Sequence, residues 1–84
     1  MELDFNIKSC TINITKHFRT KYMEKWSMRQ EQVRTAITEA YRVEKVGRHK
    51  YEAYFRSSGK SKKIIFAYDR FFDEISIISG AQGK

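Results

Sequence analysis

The hydrophobic period of this chain changes from helical to alternating after Tyr41, and that change limits the folds open to it. Val33, Ala36, Ile37, Ala40 and Tyr41 recur at i, i+3, i+4, i+7 and i+8, one stripe of an α-helix. Beyond them the pattern alternates. Tyr51, Ala53 and Phe55 oppose Lys50, Glu52, Tyr54 and Arg56, as in a strand with one buried face. Residues 64–68 are apolar on both faces, as in a central strand, and residues 74–79 form a last strand rich in isoleucine. Residues 57–61, centred on Gly59, and residues 69–73 read as the turns between them.

Before the switch, Cys10, Ile12 and Ile14 alternate with Thr11 and Asn13, a short strand pattern, and residues 3–7 alternate more weakly. Thr15 is placed to cap a helix reaching about Trp26, with Phe18, Tyr22 and Trp26 four apart on one drifting stripe. Ser27 followed by Gln30 fits a capping box for the second helix. The expected fold is α+β: two N-terminal helices packed on one face of a mainly antiparallel sheet of three to five strands. Short strand connections imply an antiparallel meander, and the helices leave the opposite sheet face partly open.

Eighty-four residues suffice for one domain, residues 1–84, with residues 80–84 too small and polar to be anchored and expected as a flexible tail. The net charge of +7 is spread over both halves of the chain, so the field belongs to the folded domain and favours polyanionic partners. Cys10 is the single cysteine, which excludes an internal disulfide and suits a reducing cytoplasm. No run approaches the ~18 apolar residues of a membrane span, and the N-terminus lacks a secretory pattern. A cytoplasmic protein without a membrane partner is expected.

Arg56, Lys60, Lys62 and Lys63 crowd the Gly59 hairpin with Ser57, Ser58 and Ser61, where cations and hydroxyls can surround phosphate oxygens. A solvated turn with lysines guarding a sheet edge is the alternative. Gly59-Lys60-Ser61 is not a phosphate-binding loop, because Tyr54 stands where the first glycine is required and a strand follows instead of a helix. His17, Lys21 and Lys25 are four apart and share a helical face that can grip a phosphate backbone or serve simply as a polar surface. His49 lies between Arg48 and Lys50 after Gly47, a base beside two cations. Tyr54 and Tyr68 are candidates to stack on bases, although most aromatics of so small a domain are needed for its core. Cys10 and the two histidines do not make a metal site, which needs four ligands at local spacing.

This order of elements resembles the RelE/ParE superfamily of small toxins, especially its BrnT-like branch. The resemblance rests on His17, Lys21 and Lys25, then Met28-Arg29-Gln30-Glu31-Gln32-Val33. It continues through Lys50-Tyr51-Glu52-Ala53-Tyr54-Phe55-Arg56, Lys63-Ile64-Ile65-Phe66-Ala67-Tyr68 and Glu74-Ile75-Ser76-Ile77-Ile78-Ser79. It implies a RelE-like toxin of a toxin–antitoxin pair, a ribonuclease acting on RNA or at the ribosome and silenced by a small acidic antitoxin. Such a reaction needs no metal or cofactor: a base takes the 2′-hydroxyl proton, cations hold the developing charge, and an acid protonates the leaving oxygen. Arg56 and Lys63 would be the cations and His49 or His17 the proton carrier. In an antiparallel hairpin through Gly59, seven residues of strand, about 23 Å, separate His49 from Arg56. The C-terminal Ser79-Gly80-Ala81-Gln82-Gly83-Lys84 departs from the BrnT-like pattern, which continues with Ser-Ala-Arg and further basic residues. A non-catalytic nucleic-acid-binding module on the same fold is therefore the alternative.

Overall fold

Thr15 turns the first strand into the first helix. Its hydroxyl donates to the carbonyl of Ile77 at 2.7 Å and accepts from the Phe18 amide at 3.4 Å, so one side chain ties the helix start to the sheet. The computed structural model describes residues 5–7, 9–57 and 59–83. Its elements are β1 (Thr11–Ile14), α1 (Lys16–Phe18), α2 (Gln30–Thr38), β2 (Arg42–Lys45), β3 (Lys50–Ser57), β4 (Lys60–Asp69) and β5 (Glu74–Gln82). A π-helical turn, Arg19–Met23, continues α1. Ser58 of the hairpin, Lys84 of the tail and residues 3 and 4 of the weak N-terminal alternation lie outside the described residues.

The five strands lie in the order β1-β5-β4-β3-β2. β2 to β5 form the expected antiparallel meander, with Val43 opposite Ala53, Ala53 opposite Ile64, and Phe66 opposite Ile77. β1 is the correction. It precedes the helices and joins the far edge parallel to β5, Ile12 beside Ile75 and Ile14 beside Ile77. The sheet is therefore mixed, not mainly antiparallel, and the two-helix N-terminal layer expected from the sequence is not what forms. A parallel pair needs a long crossover, and here the whole chain between residues 15 and 73 supplies it.

The first helix also differs. Instead of an α-helix to Trp26, one α-turn widens into the π-helical turn and then stops. The stop is a Schellman motif: Met28 N–H donates to Met23 O at 2.9 Å, Ser27 N–H donates to Glu24 O at 3.2 Å, and Ser27 sits at φ 53°. Ser27 thus closes the first helix and does not open the second. The N-cap moves to Arg29, whose amide donates to Gln32 Oε1 at 2.7 Å.

One face of the sheet is covered. Phe18, Val33 and Ile37 bury themselves against Phe55, Ile64, Phe66, Ile75 and Ile77, joined by Ala53 and Tyr51. Tyr22, on the same helical stripe as Phe18, is half-buried against this core. Phe18, Tyr22, Trp26 and Phe55 form a chain of rings with successive centroids 5.2–6.0 Å apart, extending the core toward the hairpin end. A bulge at Ile78 resets the alternation of β5, so that Gly80 also faces the covered side, directly beneath Trp26. Residues 80–82, expected as the start of a flexible tail, pair with Lys62, Lys63 and Ile64 as the end of β5. Cys10 is buried, as its alternation predicts, and burial pushes its thiol pKa up.

Candidate nucleic-acid interface

The other sheet face carries no helix among the described residues, and its side chains follow from parity. On β3 the covered positions are Tyr51, Ala53 and Phe55, so Glu52, Tyr54 and Arg56 point the opposite way. On β4 the covered positions are Ile64, Phe66 and Tyr68, which turns Lys63 outward, directly across from Tyr54. Arg42 of β2 flanks Tyr54 from the other side. The Tyr54 ring is thereby set between two cations, the Arg42 guanidinium 5.4 Å and the Lys63 ammonium 5.8 Å from its centroid.

Glutamates hold the cations in place. Glu52 accepts from the Tyr54 hydroxyl at 3.0 Å and from Lys63 Nζ at 3.1 Å. Lys63 holds the Glu52 carboxyl below the usual carboxylate range, and Glu52 in turn raises the Tyr54 phenol, which stays a donor. Glu44, opposite Glu52 across the strands, accepts from Arg42 Nη2 at 2.6 Å. Two like charges face each other there, each neutralised by its own cation. At the hairpin end, the Arg56 guanidinium lies 5.2 Å from the Tyr41 ring, and the Tyr41 hydroxyl is 2.6 Å from Ser61 Oγ. The result is a row of fixed cations interleaved with aromatic rings.

Of the residues expected from the sequence, the structure brings Tyr54, Arg56 and Lys63 together. Lys60 is exposed at the hairpin end of β4. Lys62 turns to the covered side, with its ammonium 5.6 Å from the Trp26 ring. Tyr68 is taken. Its ring stacks on Phe5 at 3.8 Å, its hydroxyl donates to Asp73 Oδ1 at 2.7 Å, and that bond pushes its pKa up to about 12. His17, Lys21 and Lys25 are exposed on the helical side, His17 edge-on to Tyr22 at 5.9 Å. The π-helical turn breaks the α-spacing that would align these three.

Arg48, His49 and Lys50 are exposed at the far end of β3, as the antiparallel hairpin requires. Imidazole and the Arg56–Lys63 cations are therefore not assembled at one phosphate. His49 instead lines a shallow cleft of about 470 Å³ with Arg70, Phe71 and the open-face residues Ala67 and Ser76. Asp69 shapes that turn by accepting from the Phe71 and Phe72 amides, leaving those rings 87% and 69% exposed.

Sequence reasoning missed Arg42, Glu52, Arg70, Phe71 and Phe72. Glu52 was within reach, since period two from Lys50 places it on the face of Tyr54. Arg42 was not, because the helical stripe runs to Tyr41 and no alternation marks residue 42 as a strand position. Among the described residues, no group of three His, Cys, Asp or Glu side chains is placed to hold a metal ion, and no helix is long and apolar enough to cross a membrane. No family model, curated protein or solved structure matches the chain.

Proposed function

We propose that this domain binds RNA along the open face of its sheet. The observation that carries the reading is the Tyr54 ring set between Arg42 and Lys63, an aromatic ring with a cation on either side placed to meet the phosphates of a strand. Arg56 and the exposed Lys60 extend the positive track toward the hairpin, and a net charge of +7 attracts the polyanion. Glu44 and Glu52 orient the two cations beside the ring, which reduces the side-chain entropy lost on binding. The test is affinity for a short labelled single strand. The Arg42→Ala, Arg56→Ala, Lys63→Ala triple variant, still folded by circular dichroism, should bind at least tenfold more weakly, and unchanged affinity would refute the reading.

A second reading, a metal-independent ribonuclease toxin held silent by a small acidic antitoxin, draws on the superfamily pattern and on one feature of the structure. His49 shares its cleft with Arg70 and the exposed ring of Phe71. There an imidazole, a guanidinium and a stacking surface meet on the open-face side, although Arg56 and Lys63 are elsewhere. Cleavage of free RNA or of ribosome-bound message in excess chelator, abolished by His49→Ala, would support the toxin. No cleavage by the intact protein leaves the binding module.

A further inference from the structure

On the covered side, a second cleft of about 540 Å³ opens between α2 and the hairpin end of β3. Its floor is apolar and partly aromatic, built by Trp26, Met28 and Phe55. One wall is a helix face, where Gln32, Thr35 and Glu39 succeed one another at i, i+3 and i+7, and Ser27, Tyr41 and Ser57 add hydroxyls elsewhere on its lining. Arg56 lines the same cleft while belonging by strand parity to the open face. A flat apolar floor, hydrogen-bonding groups on one wall and a cation at the mouth match the three parts of a nucleotide: ring, edge and phosphate.

Glu39 narrows the choice of base. It is the C-terminal cap of α2, where the helix dipole disfavours an anion, and no ion pair involves it among the described residues. A carboxylate offers two acceptors side by side and no donor. Guanine alone among the four RNA bases presents two adjacent donors, N1–H and the 2-amino group, on its pairing edge. Adenine, cytosine and uracil each place an acceptor beside their donor and would set it against a carboxylate oxygen. Thr35 donates its hydroxyl to the Glu31 carbonyl at 3.1 Å, so the donor left on this wall is the Gln32 amide group, whose oxygen already accepts from Arg29.

We propose that this cleft takes a guanine base of the bound RNA, with Glu39 reading its pairing edge and Arg56 holding the phosphate where the strand leaves the open face. The proposal rests on the RNA-binding reading, and its test is kept separate by using mononucleotides. Trp26 is the only tryptophan in the chain, so its single indole N–H resonance reports the cleft directly. Guanosine 5′-monophosphate should shift that resonance saturably, and the adenosine, cytidine and uridine monophosphates should bind about tenfold more weakly or worse. Glu39→Gln, which swaps one acceptor for a donor at an exposed position, should erase the preference and leave the fold intact. Equal response to all four nucleotides, or a guanosine preference that survives Glu39→Gln, would overturn the proposal. A silent indole at millimolar nucleotide would do the same and leave the cleft to a side chain of a protein partner. RNA affinity lost in the open-face triple variant but unchanged in Glu39→Gln would sink the cleft alone. Affinity unchanged in the triple variant would sink the open-face reading and, with it, the Arg56 contact assigned to the cleft.

Discussion

Gly80 and Tyr68 show how single residues decide the two ends of the sheet. A methyl added at Gly80 would lie 2.6 Å from Trp26 Cη2, so the indole rests on that glycine because nothing smaller exists. Gly80→Ala should lower stability by about 1–3 kcal/mol through overpacking and shift the Trp26 emission, both readable in one urea titration followed by fluorescence. Unchanged emission would mean that the ring does not sit there. Tyr68 answers to pH. Its phenol is raised from 10.0 to about 12 by donating to Asp73, helped by burial. A raised folded pKa contributes stability that is fully present below pH ~10 and is lost as pH climbs through ~12. Alkaline titration by tyrosine absorbance should therefore show Tyr68 as a late phenol, and Tyr68→Phe should remove that step while leaving the raised Tyr54 phenol in place. Neither behaviour was legible beforehand. Gly80 reads as part of a loose tail until the bulge at Ile78 turns it inward, and Tyr68 reads as a stacking residue until Phe5 occupies its face.

Elements were more legible than the joins between them. Thr15 caps the first helix, Val33 and Ile37 are the buried stripe of α2, and the alternation of β3 gives its two faces correctly, because each of these signals is local. The pairing of β1 with β5 joins residues more than sixty positions apart, and no period in either strand encodes its partner. The N-cap moved from Ser27 to Arg29, where Gln32 supplies one half of a capping box, because Ser27 was already committed to a left-handed Schellman closure. α2 offers an element-scale test. Of its nine residues only Val33 and Ile37 are buried, so the helix is held to the sheet mainly by these two. Ile37→Ala should cost about 2–5 kcal/mol. A loss under about half a kcal/mol in chemical denaturation would place that side chain at the surface.

At the scale of the whole molecule, the placement of charge can be separated from its amount. The excess is spread along the sequence, yet the fold sorts it. Arg42, Arg56 and Lys63 sit with aromatic rings on the open side, and Lys16, Lys21 and Lys25 are exposed on the helical side. If attraction were diffuse, removing three cations from either side would weaken RNA binding alike. If phosphates are held on the open face, only that side releases counterions on binding, and the logarithm of affinity then falls against the logarithm of salt by roughly 0.7 for each contact to a single strand. The Arg42→Ala, Arg56→Ala, Lys63→Ala variant should flatten that slope by about 2 if all three make contact. A Lys16→Ala, Lys21→Ala, Lys25→Ala variant, with the same loss of net charge, should lower affinity slightly at low salt and keep the slope of the parent. Long-range attraction is screened beyond about 10 Å at 0.1 M salt, so the two variants diverge most clearly as salt is raised. Equal slopes in the two variants would show that the sorted face is not where the strand lies.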